Sequence, residues 1–392
     1  MFLKEISMKK VLRAASVFLL CAGVLAGCHS GTPEMKTDES GKNTEEAMME
    51  TETTAAPEYP AAVEGIYSMK SLEQWAKFHN RHYFLRDGSM AADWSASGFT
   101  MNVNAKGGDF DVYYKADYEV YLSIMVDGEE AARPKAETGE GHVSVFLSEG
   151  IHEVSVYKET EINPKGKGFN FAGIAFEGEI LEKPADAPLF IEYIGDSIAC
   201  GDGSLGVYTS GEVWKNADHS ATHGFPFLLS KMLGADYSIV AKGGIGLLKP
   251  SGDWTMTDLY PYVTGYRDHI VKYDFSVVPD IIVLELGAND GSYAEIEYYN
   301  ALKEFIEKLR AAYGPGIPIV WFGHNQKFCD SMKRYMLTVK STDPDLYALN
   351  FAYGGSGSAA LSTQSKGHPS AGEQQEIADK IYEFLQEKRL IE

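Results

Sequence analysis

From residue 189 onward, short apolar, β-prone runs alternate with longer amphipathic stretches, and this alternation limits the possible folds more than any other feature of the chain. The runs at 190–194, 237–241, 281–286, 317–322 and 346–350 have the length of buried strands. Helical patterns at 225–233, 293–313, 330–340 and 372–388 lie between and after them. Strand–helix–strand order of this kind predicts an α/β fold, a parallel five-stranded sheet with helices on both faces. Ligands of such sheets bind where the carboxyl ends of the strands meet the loops.

The residues before 189 follow another rule. Period-2 alternation at 110–114, 118–126, 142–147 and 152–157 marks strands, and Asp127-Gly128 and Glu149-Gly150 read as breaks between them. A β-sandwich or jelly roll over 61–182 is expected, followed by the α/β domain over 183–392. Pro184 and Pro188 mark the link. The stretch 71–83 is less clear and reads as a helix or a ligand-contacting loop. The β-domain itself reads as a packing module with no ligand of its own.

The N-terminus reads as targeting. Met8-Lys9-Lys10 and Arg13 precede an apolar middle, and Leu25-Ala26-Gly27-Cys28 resembles the lipobox of bacterial lipoproteins. That resemblance implies a signal peptide over 1–27 and acylation of Cys28 as the sole membrane attachment, on the extracellular face of the cell envelope. Residues 28–60 are acidic and poor in large apolar side chains, the composition of a disordered tether. With Cys21 removed and Cys28 acylated, only Cys200 and Cys329 remain. They read as two buried thiols, with a single bridge as the alternative. A formal net charge of −21 argues against non-specific nucleic-acid binding and suits work on a neutral polymer. A monomer is expected.

Four short motifs fall at the expected carboxyl ends of strands or just before the last helix. They are Gly195-Asp196-Ser197, Gly243-Gly244-Ile245-Gly246, Gly287-Ala288-Asn289-Asp290 and Gly367-His368-Pro369. A serine at a sharp strand-to-helix turn exposes its hydroxyl and offers its own N–H as an oxyanion donor. The plain alternative makes Ser197 an N-cap. Gly243 and Gly246 compete with Gly244 as donor, and His324 competes with His368 as base. Asp290 reads as structural. There is no zinc-type Cys/His spacing and no phosphate loop, so no cofactor or metal is expected.

In order and spacing the four motifs resemble the SGNH, or GDSL, hydrolase superfamily. The resemblance implies a three-layer α/β/α domain with Ser197 as nucleophile and His368 as base. It implies an oxyanion hole made by Ser197, Gly244 and Asn289. One position departs from the pattern: the superfamily usually has Asp three residues before the histidine, and here that residue is Ser365. No carboxylate lies between Asp345 and His368. A Ser–His dyad is therefore expected, its imidazole oriented by a backbone carbonyl, or else by Ser365 or water.

A β-jelly-roll followed by Tyr193-Ile194-Gly195-Asp196-Ser197-Ile198-Ala199-Cys200-Gly201 also resembles carbohydrate esterase family 2. That resemblance implies deacetylation of plant cell-wall polysaccharides, xylan or glucomannan. Trp254 and Phe328 are the aromatics expected to line the cleft. The alternatives are an esterase for another O-acetylated glycan and a carbohydrate-binding lipoprotein with a vestigial site.

Overall fold

The five apolar runs form one parallel sheet, in the spatial order Asp236–Ala241, Phe190–Gly195, Ile281–Glu285, Ile319–Gly323, Leu346–Asn350. The strand expected from 317 begins at Ile319, because Pro318 has no N–H for the ladder. Strand order reverses around Phe190–Gly195, which lies between the second and third strands. The serine loop therefore opens at the topological switch point. Side-chain alternation supplies both layers. Ile191 and Tyr193 join the core under helices Phe225–Leu233 and Ala371–Glu387. Ile194 joins the opposite core, under helices Glu295–Tyr313 and Gln326–Val339.

This computed structural model describes residues 58–161, 166–206, 215–264, 271–323, 326–350 and 368–392. The readings made of Cys28, the signal peptide, most of the tether, His324 and Ser365 lie outside the described residues. No described helix is long and apolar enough to cross a membrane.

The N-terminal half is an eleven-stranded antiparallel sheet around its own core. Its backbone is a pair of long strands, Gly98–Ala116 and Gly139–Lys158, paired along nearly their whole length. The expected runs at 142–147 and 152–157 are parts of the second of these. Glu149-Gly150 is not a break: Gly150, at φ +134, sits within the strand, still paired with Ala105. Asp127-Gly128 is a true turn, with φ of +54 and +85, and joins Val120–Val126 to Glu129–Ala132. The unclear stretch holds a 3₁₀ turn, Met69–Leu72, and an edge strand, Ala76–His79.

Residues 57–392 pack as one unit, and the β-half sends polar side chains into the α/β half. Asn80 takes the place of a sixth strand: its side chain accepts from Ile239 N–H at 3.1 Å and donates to Ile239 C=O at 3.0 Å. Trp94, fully buried, donates its indole N–H to Val263 C=O at 2.7 Å. Arg81 donates to Glu192 at 2.8 Å, both side chains being about 1% exposed.

Candidate active site

Ser197 is the first residue of a one-turn helix, Ser197–Cys200, at the carboxyl end of the first strand. Asp196 caps that helix, its carboxylate accepting from Ile198 N–H at 3.0 Å. The cap is thus Asp196 and not Ser197, which leaves the serine hydroxyl uncommitted to the helix. Gly195 is needed for closeness: a Cβ there would lie 2.5 Å from the Ala199 methyl. Gly201, at φ +74, ends the turn.

His368 lies 171 residues further along the chain, and its Nε2 sits 2.7 Å from Ser197 Oγ. The final helix holds it in register. Ser370 and Glu373 form a capping box directly after it, with Glu373 accepting from Ser370 N–H at 2.8 Å. Buried Gln374 then ties three elements together. It accepts from Phe225 N–H and donates to Ile198 C=O, both at 2.9 Å. Nothing in the sequence motifs pointed to Gln374. The other ring nitrogen of His368, Nδ1, is shielded from solvent.

Gly244 occupies a turn closed by Ile245 N–H on Lys242 C=O at 3.3 Å, with φ +73. Its rivals have other work. Gly243 N–H donates to Glu161 at 2.5 Å. Gly246 leaves room for Asp290, whose carboxylate would lie 2.2 Å from a Cβ there. Asp290, fully buried, accepts from the N–H groups of Leu247, Leu248 and Lys249 at 3.0, 3.0 and 2.8 Å. It staples the loop that follows the Gly244 turn.

Asn289 stands between the serine loop and the glycine loop. Its Nδ2 donates to Asp196 at 3.1 Å and to Ile245 C=O at 2.8 Å. An amide nitrogen has two hydrogens, so both are directed at acceptors in the two flanking loops. Beneath this loop lies Glu285, 1% exposed, which accepts from Asp196 N–H at 3.2 Å. Burial pushes its carboxyl up to about 8.

The two expected aromatics separate. Phe328 is fully buried and stacked on Tyr298 with ring centroids 3.9 Å apart. It packs against the underside of the Gly287 turn and lines no cleft. Its position in an amphipathic helix, facing the core, decides this. Trp254 is half-buried, packed against Tyr262 on the segment after the Gly244 loop.

A buried polar cluster missed in the sequence lies behind the serine turn. Atoms of Glu161, Cys200 and Asp202 come within 4.8 Å of one another. Lys242 stands 3.5 Å from Glu161, and His219 2.9 Å from Asp202. Burial, and then the charge of Glu161, raise the Asp202 carboxyl to about 6. Lys242 supplies positive charge, so the group reads as an internal ion cluster and not as a metal centre. Cys200 is a free thiol.

Comparison with known proteins follows the same division. Residues 79–184 match the profile described as carbohydrate esterase 2 N-terminal, and 191–337 that of GDSL-like lipase/acylhydrolase. A curated relative, the cellulase/esterase CelE of Acetivibrio thermocellus, is 28% identical over 229 residues. That alignment covers 55% of this chain but 27% of CelE, so the chain matches about a quarter of that protein's length. A family two carbohydrate esterase from Clostridium thermocellum, solved in complex with cellohexaose, superposes with a TM-score of 0.70 at 25% identity. The match covers 81% of this chain and all of that one. An acetyl xylan esterase from Butyrivibrio proteoclasticus shares the fold, with a TM-score of 0.69, 20% identity and coverage of 82% and 97% of the two chains.

Proposed function

We propose that this chain, in which a carbohydrate esterase 2 N-terminal domain precedes a GDSL-like acylhydrolase domain and which is homologous to family 2 esterases, is a serine esterase that removes O-acetyl groups from plant cell-wall polysaccharide, xylan or glucomannan. The observation that carries the reading is the 2.7 Å approach of His368 Nε2 to Ser197 Oγ at the switch point of the sheet. A serine hydroxyl becomes a competent nucleophile when an imidazole accepts its proton. The relative solved with cellohexaose and the acetyl xylan esterase favour a glycan as the acetyl carrier.

In this reading Ser197 Oγ attacks the acetyl carbonyl while His368 Nε2 takes its proton. The carbonyl oxygen becomes an oxyanion facing the N–H groups of Ser197 and Gly244 and the amide of Asn289. Among the described residues neither backbone N–H donates to another protein group. Each donor of this kind is worth about 3 kcal/mol of barrier. His368 then returns the proton to the sugar oxygen as the C–O bond breaks, leaving an acetyl-enzyme. Water, deprotonated by the same imidazole, releases acetate and frees Ser197. The half-buried Trp254 is assigned to stacking on a sugar of the chain.

Two assays test the reading. A fluorophosphonate probe is expected to label Ser197, and labelling should vanish in Ser197→Ala. Acetate release from an aryl acetate and from acetylated xylan or glucomannan should fall at least about a thousandfold in Ser197→Ala and His368→Ala. Folded wild-type protein that neither takes the label nor releases acetate would leave a glycan-binding role instead. Trp254→Ala should raise KM on the polysaccharide and spare the aryl acetate. Attachment to the cell envelope through acylated Cys28 belongs to the same proposal; it rests on the leader sequence, and mass spectrometry of the mature N-terminus tests it.

A further inference from the structure

The β-half does more than pack. Directly after the strand Gly139–Lys158 the chain runs into the α/β half, and Glu161 reaches the Gly243–Gly244 turn. Its carboxylate accepts from Gly243 N–H at 2.5 Å. On the other side of the same residue, Ser251 Oγ donates to Gly243 C=O at 2.9 Å. The Gly243 carbonyl and the Gly244 N–H belong to one trans peptide, so they point in opposite directions. Holding the carbonyl therefore aims the N–H. Glycine in the left-handed region, at φ +73, has little steric preference to keep that peptide in place by itself. Ser251 holds that peptide by its carbonyl, and the Glu161 carboxylate fixes the peptide before it through Gly243 N–H.

The fit around Glu161 is close. A Cβ on Gly243 would stand 2.7 Å from one of its oxygens and 3.0 Å from Asp202. Lys242 Nζ lies 3.5 Å from Glu161, and Cys200 Sγ, in the serine's own helical turn, also donates to it at 3.5 Å. Glu161 is thus in contact with the glycine turn and the serine turn at once. Its side chain is 9% exposed, so an unpaired charge there would be costly and the network has to be complete.

We propose that Glu161 is a positioning residue of the esterase: it anchors Gly243 through the N–H of the preceding peptide while Ser251 holds the carbonyl of the Gly243–Gly244 peptide, and the two together keep Gly244 N–H on the oxyanion, which makes the β-half part of the catalytic apparatus. This rests on the esterase reading above. A misdirected donor loses stabilisation present only in the transition state, so kcat should suffer while KM stays.

The test compares Glu161→Ala, Glu161→Gln and Ser251→Ala on an aryl acetate, with fluorophosphonate labelling rates and circular dichroism beside the kinetics. Glu161→Ala is expected to lower kcat about ten- to a hundredfold with KM within about twofold, below the effect of losing a donor outright. Glu161→Gln, which keeps an acceptor oxygen, should recover much of that loss. Ser251→Ala, acting on the other side of Gly243, should lower kcat in the same way. If Glu161→Ala fails to fold, Glu161→Gln and Ser251→Ala decide. Variants within twofold of wild type, or losses that merely track the folded fraction, overturn the proposal. A wild type without esterase activity or labelling defeats the functional reading instead, so the two failures are distinguishable.

Discussion

Two buried carboxyl groups, Asp196 and Glu285, lie at the turn that carries Ser197. Asp196 is fully buried and accepts hydrogen bonds from Ile198 N–H and Asn289. Burial drives the Glu285 carboxyl beside it up to about 8, so that it is largely protonated at neutral pH. The linkage follows from the sign. A carboxyl whose folded pKa exceeds its ordinary 4.5 adds stability below pH 4.5 that is lost as pH rises toward 8. His79 acts in the opposite sense. Burial, with Lys77 and His82 adding to it, lowers its imidazole from 6.5 to about 3, so its contribution is lost as pH falls through that window. Thermal unfolding of Glu285→Gln between pH 5 and 8 should show a flatter fall in Tm than wild type. An unchanged slope would mean that Glu285 is ionised in the fold.

At the scale of elements, the loop after the second parallel strand has no regular structure to define it, and its shape comes from one side chain. Asp290, in the loop after the third strand, accepts from three consecutive N–H groups of the loop after the second. Met256 N–H then bonds to Gly246 C=O at 3.0 Å and starts the next helical turn. Replacing Asp290 by Ala leaves those donors without their acceptor. Urea denaturation should show a loss of about 2–4 kcal/mol, with aryl-acetate activity falling alongside because the Gly244 turn shares the loop. A loss under about 0.5 kcal/mol would show that water replaces the carboxylate at no cost.

For the whole molecule, the junction between the two halves is ionic as well as apolar. Arg81 donates to Glu192 and to the carbonyl of Tyr262, at 2.8 and 3.1 Å, while its guanidinium lies 4.0 Å over the Tyr273 ring. Tyr260 donates to the second Glu192 oxygen at 2.6 Å. Arg81→Met would leave a buried carboxylate without its cation, a change that typically costs about 3–5 kcal/mol. Calorimetry of the wild type should show one transition for both halves, because the partners of this pair come from each. Arg81→Met should lower its Tm by several degrees or split it. Two well-separated transitions in the wild type would show that the halves fold independently.

The alternation after residue 189 determined the parallel sheet, because strand and helix periods are local properties of side-chain order. The four motifs were legible for a related reason: three lie where a strand must end and the fourth just before the last helix. Single glycines misled inside a long strand, as at Gly150, since local sequence does not distinguish a glycine kept in a ladder from one in a turn. Phe328 could not be placed, because burial depends on what packs over a residue. Glu161, Gln374 and Glu285 carry no local signature. A carboxylate or amide becomes significant only when a distant segment presents an N–H to it, as Gly243, Phe225 and Asp196 do here. The chain order thus determined which residues could act, and packing across the two halves decided which groups hold them in place.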